Sequence, residues 1–264
     1  MLTPKEKQNI QLVWDGMDAI LESKNEQTVE ASFAEDFIQH NPWAKDGIAH
    51  IKEMLQFEFG YKPIRWVADG DLMAYHGYYT APNPLGEHPL LCVDVWRVEN
   101  GKIQEHWDAL APMPNDQLQK AIAGAGNGET TNNVETRAAN KATVKRFLDH
   151  VLNRGRLEEI KTLVSENYVY HHETEGELIG QNVLENHILS QPGGKMPHDN
   201  KMLIASGDLV MTQGHFFGTI EDESQERVSF DWFRLDENHK IVEHWSVSQP
   251  IAPQAEVANE HPHF

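Results

Sequence analysis

The residue best suited to do chemistry in this sequence is Asp94, set among tryptophans in the stretch Val93-Asp94-Val95-Trp96-Arg97-Val98-Glu99-Asn100-Gly101-Lys102-Ile103-Gln104-Glu105-His106-Trp107-Asp108. A carboxylate with apolar, aromatic neighbours loses hydration, and its pKa rises toward the range in which it can take a proton from a carbon beside a carbonyl. The alternative is a structural aspartate bonded to backbone or to a tryptophan N–H. Either way the side chain must have a partner or a shifted pKa.

The stretch itself reads as a β-hairpin. Asn-Gly is the strongest short turn signal, because a type I′ turn needs positive φ at both central residues. With Asn100 and Gly101 as the turn, Glu99 pairs with Lys102 and Asp94 falls opposite Trp107. The period-two rule then puts Asp94, Trp96, Val98, Ile103, Glu105 and Trp107 on one face, with Trp96 and Trp107 as pocket wall. Val95, Arg97, His106 and Asp108 fall on the other, and a β-bulge would reverse that assignment.

Three more groups can converge on Asp94. His76 and Tyr78 alternate along a strand expected beside it, so His76 could orient the carboxylate or polarise a substrate oxygen. His40 and Asn41 lie where the chain leaves the helices, placed to hydrogen-bond a substrate oxygen; the plainer reading is that Asn41-Pro42 is turn chemistry.

The same pattern comes twice. Phe230-Asp231-Trp232-Phe233-Arg234-Leu235 through Ile241-Val242-Glu243-His244-Trp245 repeats the hairpin with one extra turn residue, pairing Leu235 with Ile241 and Asp231 with Trp245. His171 and His172 repeat His40 and Asn41, and Gln213 stands where His76 does, with His215 two residues on as a substitute. Asp231, His171 and His215 are therefore substrate-binding candidates in the second copy. Two copies of one fold explain the nearly constant offset.

The elements that must carry these residues are legible in outline. Thr3-Pro4-Lys5-Glu6 is a capping box, followed by Ile10, Val13, Trp14, Met17 and Ile20 at helical spacing. Shorter helices are expected over 26–34 and 47–56, then strands over 64–67, 72–80 and 90–98. The second copy repeats the order from Val134. Helices followed by an antiparallel meander give an α+β class. The expected organisation is one domain over 1–113, a Gly/Asn/Thr-rich linker over 114–133, a second domain over 134–253 and a loose tail over 254–264.

Composition narrows the function. At 264 residues the chain has room for two cores, and 22 Lys plus Arg against 41 Asp plus Glu give a formal charge of −19, which repels nucleic acid and anionic membranes. Cys92 is the single cysteine, so there is neither an internal disulfide nor a thiolate metal cluster. The N-terminus has no apolar signal core, and the expectation is a soluble cytoplasmic protein.

Taken together, Phe37-Ile38-Gln39-His40-Asn41-Pro42, Gly70-Asp71-Leu72 and the Asp94 hairpin resemble the SnoaL-like polyketide cyclases, in the wider superfamily of nuclear transport factor 2 and ketosteroid isomerase. The resemblance covers most of residues 3–113 and, more weakly, 136–253. It implies two tandem cone-shaped α+β barrels, each a curved antiparallel sheet wrapped by helices around an apolar pocket. It further implies cofactor-free chemistry with an aspartate as acid/base, matching Asp94 and Asp231. Members often dimerise through the outer sheet face, so the halves are expected to pair as a built-in pseudo-dimer with His106, His244, Val95 and Trp232 between them, open to further homo-oligomerisation.

The sequence thus reads as an enzyme acting by acid/base catalysis, without cofactor, on a small apolar carbonyl compound: aldol-type cyclisation, isomerisation or dehydration. Asp94, His76 and His40 are the catalytic candidates, with Asn41, Tyr78, Trp96 and Trp107 around them. Two alternatives stay open: a binding protein that sequesters a hydrophobic metabolite, and a metal-dependent enzyme using His40, His76 and Asp94.

Overall fold

The structure is a computed structural model describing residues 2–124, 126, 134–172, 175–217 and 226–264. It divides into an N-terminal unit, Leu2–Asn115 with Ala252–Phe264, and a C-terminal unit, Asp116–Ile251.

The N-terminal unit runs α1 (Pro4–Leu21), α2 (Glu26–Ser32), β1 (Phe33–Gln39), α3 (Ile48–Glu53), β2 (Tyr61–Asp69), β3 (Leu72–Tyr79), β4 (Leu90–Glu99) and β5 (Lys102–Pro112). The capping box forms: Glu6 N donates to Thr3 Oγ1 (3.1 Å) and Thr3 N to Glu6 Oε2 (2.7 Å). Glu6 Oε1 also accepts from Gly70 N (3.1 Å), so the helix start is tied to the β2–β3 turn.

The sheet order is β1-β5-β4-β3-β2, with β1 parallel to β5 and the remaining pairs antiparallel. The sheet is open rather than closed into a barrel. Val13, Met17 and Ile20 of α1 and Ile51 of α3 pack with Met73, Tyr75, Trp96, Val98 and Ile103. The face that carries Trp96, and with it Asp94, is therefore the one the helices cover.

The C-terminal unit begins with α4 (Asn115–Ala121) and continues with α5 (Val134–Arg146), extended to Leu152 in wider turns, and α6 (Ile160–Leu163). Then come β6 (Val164–His172), β7 (Gly176–Ile179), α7 (Gln181–Ser190), β8 (His198–Ser206), β9 (Leu209–Phe216), β10 (Arg227–Leu235) and β11 (Ile241–Pro250). Its order is β7-β6-β11-β10-β9-β8, again with one parallel pair, β6 on β11. Phe147, Leu148 and Val151 pack with Val210, Phe233 and Leu235, so here too the helices cover the aspartate's face.

The hairpin register differs from the simple one. Asn100 (φ 51°) and Gly101 (φ 75°) form the expected turn, and Glu99 pairs with Lys102 and Val98 with Ile103. Gln104 is then an extra residue: Arg97 pairs with Glu105, Trp96 with His106, Val95 with Trp107 and Asp94 with Asp108. The bulge bends and twists the strand, as a sheet wrapping helices requires. It also reverses parity beyond it, bringing His106 and Asp108 to the Asp94 face and sending Glu105 and Trp107 to the opposite one. In the second copy Leu235 pairs with Ile241 as expected, but Val242 is extra and Asp231 pairs with Ser246, Phe233 with His244. His106 and His244 thus face the helices and not the outer side.

The tail is not loose. Residues 252–264 fold onto the N-terminal unit through backbone bonds such as Ala258 N to Pro42 O (2.7 Å) and His263 N to His40 O (2.8 Å). The expected linker is partly structured as α4; positions 125 and 127–133 lie outside the described residues.

Candidate active site

On the helix-covered face of the N-terminal unit, Asp94 and Asp108 stand opposite each other on β4 and β5, with His106 two pairs further on, opposite Trp96. All three are buried, at 1%, 8% and 5% exposure. Around them lie Tyr75, Tyr79, Cys92 and Trp96, whose indole stacks on His106 with ring centres 3.8 Å apart. Tyr79 donates its hydroxyl to Asp94 Oδ1 (3.3 Å), and His106 Nε2 sits 3.3 Å from the same oxygen.

β1 supplies the other half of the site. Gln39 Oε1 accepts from Asn41 N (3.0 Å), which fixes which end of the amide is oxygen; the same atom lies 3.0 Å from His106 Nδ1. His106 Nδ1 must therefore carry a hydrogen, so its Nε2 shares with Asp94 whatever proton lies between them. Asn41 Nδ2 donates to Asp108 Oδ2 at 2.8 Å.

Burial is the main reason the Asp108 carboxyl is pushed up to about 6; Asp94 adds to the rise, while the charge of His106 and the bond from Asn41 work against it. Asp94 Oδ2 and Asp108 Oδ1 receive no nitrogen or hydroxyl donor among the described residues. Buried carboxylate oxygens left open in this way are costly unless a proton or ligand occupies them. Asp94, His106 and Asp108 place one ligand atom each within 4.8 Å of one another, a spacing that a small cation could bridge.

The C-terminal unit repeats the frame with different chemistry. His244 Nε2 donates to Asp231 Oδ1 (2.9 Å), Tyr168 OH lies 3.0 Å from His244 Nδ1, and Ser229 Oγ donates to Asp231 Oδ2 (2.8 Å). Burial alone would raise Asp231, but the hydrogen bond and charge of His244, with help from Ser229, hold it below its ordinary value. Ser246 stands where Asp108 stands in the first copy. Asp231 and His244 line a cavity of about 390 Å³ with Tyr168, Leu184, Met196 and Phe216 among its walls.

Several expected site residues lie elsewhere. His76 pairs with Val93, on the opposite face from Asp94, and its Nδ1 contacts the buried Arg65 guanidinium. Tyr78 pairs with Leu91 on that same face. His40 stacks on Trp107 (4.6 Å, 10°) and bonds through Nε2 to Glu105 Oε1 (2.8 Å), which in turn holds Arg97. Burial lowers the His40 pKa despite Glu105.

His171 repeats this arrangement on Trp245 (4.9 Å, 5°), with Glu243 and Arg234. His215 pairs with Val228, away from Asp231, and bonds Glu226 (2.9 Å). A metal set of His40, His76 and Asp94 therefore has no common point. Of the expected residues, Asp94, Asn41 and Trp96 meet in one place; Asp108, His106 and Gln39 join them there, and only a bulge at Gln104 could have announced two of these.

With that geometry in place, likeness to known proteins is informative. The SnoaL-like domain family matches residues 15–106 and 144–244, and the chain belongs to that family, in two tandem copies. Among solved structures, it is similar to a putative ketosteroid isomerase from Kribbella flavida (15% identity, 44% of this chain and 82% of that one, TM-score 0.38). It is similar also to IdmH, a putative polyketide cyclase from Streptomyces antibioticus (19%, 42% and 91%, 0.34), and a putative SnoaL-like polyketide cyclase from Jannaschia (15%, 45% and 91%, 0.38). No curated protein matches the chain. Among the described residues no helix is long and apolar enough to cross a membrane.

Proposed function

We propose that the N-terminal unit is a cofactor-independent proton-transfer enzyme acting on a small apolar carbonyl compound, and that the C-terminal unit binds such a molecule without turning it over. The observation that carries this reading is the facing pair Asp94 and Asp108, buried, with one oxygen of each open. Asp108, raised to about 6, is ionised at neutral pH yet basic enough to take a proton from carbon and return it. Asp94 and His106 share a proton that can stabilise the developing enolate oxygen. Returning the proton to another carbon gives an isomerisation; attack of the enolate on a second carbonyl gives an aldol cyclisation; loss of hydroxide gives a dehydration. Asp231, by contrast, has both oxygens satisfied and its pKa lowered, which suits a binding role.

The test is solvent-deuterium exchange at the activated carbon of simple β-dicarbonyl compounds, followed by proton NMR. The wild-type protein should accelerate exchange, Asp108→Asn should lose about 10²–10⁴-fold, and Asp231→Asn should leave the rate intact while weakening ligand binding. Equal exchange by wild type and Asp108→Asn would remove the proposal and leave a binding protein.

A further inference from the structure

Both units cover the same end of their sheets with chain that lies outside the family-matched residues. In the C-terminal unit, Trp245 Nε1 donates to Ala123 O (2.8 Å) and Arg234 Nη2 to Gly126 O (2.6 Å). A Cβ on Gly124 would lie 2.6 Å from Glu243 Oε1 and 2.8 Å from His171 Nε2, so the backbone passes directly over the His171–Trp245 stack. In the N-terminal unit that position is taken by residues 252–264, over the His40–Trp107 stack.

The contacts of this second strap fall on one loop. Backbone carbonyls of His40, Asn41, Pro42 and Ala44 accept, in turn, from His263 N (2.8 Å), Asn259 Nδ2 (2.6 Å), Ala258 N (2.7 Å) and again Asn259 Nδ2 (2.9 Å). Asn259 cannot be flipped, because its Oδ1 already accepts from His261 N (2.9 Å). His263 is buried and closes the strap by accepting Ala252 N on Nε2 (2.9 Å). The inward side of the same loop carries Asn41 Nδ2 to Asp108.

We infer that residues 252–264 are a clamp for the active-site loop, with Asn259 as a positioning residue that acts on Asp108 through Asn41. Asn259 does not touch the reacting groups. It replaces the solvent that would otherwise compete for the loop carbonyls, and so holds the Asn41 side chain in bonding range. This inference rests on the role proposed for Asp108, but the measurements that test it do not require turnover.

The experiment uses the full-length chain, Asn259→Ala, a chain stopped after Val257, and Asn41→Ala as reference. Backbone hydrogen exchange is read over residues 39–47, and the Asp108 carboxyl is titrated by carbon-13 NMR. Asn259→Ala and the shortened chain should both speed exchange over 39–47 while leaving β4 protected. Both should also move the Asp108 midpoint upward, in the same direction as Asn41→Ala, since the bond from Asn41 favours the ionised form. The shortened chain could lose its fold as a whole; Asn259→Ala removes only its two bonds to the loop and the one it accepts from His261 N, and keeps the question answerable. Faster exchange confined to the tail, with the Asp108 midpoint unmoved in Asn259→Ala, would overturn the inference. Failure of the proposed reaction would show separately, as unchanged carbon-deuterium exchange in Asp108→Asn.

Discussion

Asp94 and Asp108 are direct partners across the β4–β5 ladder, whereas their counterparts on β10 and β11 are Asp231 and Ser246. One unit thus buries two carboxylates against one imidazole, and the other buries one carboxylate against one imidazole. Like charges at this separation cannot both ionise freely, so burial and Asp94 together raise the Asp108 carboxyl, whereas in the second unit the bonds to His244 and Ser229 hold Asp231 low. Replacing Ser246 by Asp should transfer the first situation to the second unit. The expected result is a carboxyl there that titrates well above the ordinary range, seen by carbon-13 NMR, with wild-type Asp231 as the low reference.

The raised Asp108 makes a stability prediction of definite sign. A folded-state carboxyl above its unfolded value contributes stability below the ordinary carboxylate range and loses it as pH rises through about 6. The rise from 3.8 to about 6 corresponds to at most about 3 kcal/mol lost at neutral pH. Asp108→Asn should therefore raise the urea midpoint at pH 7.5 relative to wild type and leave it nearly unchanged at pH 3.5. An equal gain at both pH values would contradict the assignment.

Asp231 carries the opposite sign. Its lowered pKa contributes stability above the ordinary carboxylate range, lost as pH falls through the depressed folded value. Removing its partner strands a buried charge, so His244→Ala should cost about 3–5 kcal/mol at pH 7. The cost should shrink at acid pH, where Asp231 can take a proton, and chemical denaturation at two pH values measures both.

The proposed chemistry needs no bound metal, although three donor atoms lie within 4.8 Å of one another. Carbon-deuterium exchange by the purified protein should be unchanged after dialysis against a chelator, and elemental analysis should show well under one equivalent of transition metal. Loss of exchange on chelation, restored by added zinc or iron, would turn the site into a metal centre.

Much of this was legible in the residues. Thr3 and Glu6 announced α1, Asn100-Gly101 announced the turn, and the second Asp–Trp–Phe–Arg hairpin announced the second copy. Asp94 stood out because a carboxylate between tryptophans is conspicuous. Asp108 and His106 were misplaced because parity counting carries a strand's pattern straight through a bulge, and Gln104 has no side-chain feature that marks it as the extra residue. His40 and His76 looked catalytic by residue type, yet what decides their side of the sheet is pairing with Glu105 and Arg65. Nothing in the composition of residues 254–264 signals order either, since their bonds depend on carbonyls more than two hundred positions away.

Gln104 is therefore the residue whose removal is most telling. Deleting it takes out the bulge and leaves the other pairs in place, Val98 with Ile103, Arg97 with Glu105, Trp96 with His106 and Asp94 with Asp108. Plain alternation then keeps His106 and Asp108 on the Asp94 face. What is lost is the local bend and twist that the extra residue supplies. The deletion variant should therefore keep the Asp108 titration near pH 6, seen by carbon-13 NMR, while its urea midpoint falls because the straightened strand fits the helices less well. Loss of that titration would mean that the bend, and not the pairing register alone, holds Asp94 and Asp108 together.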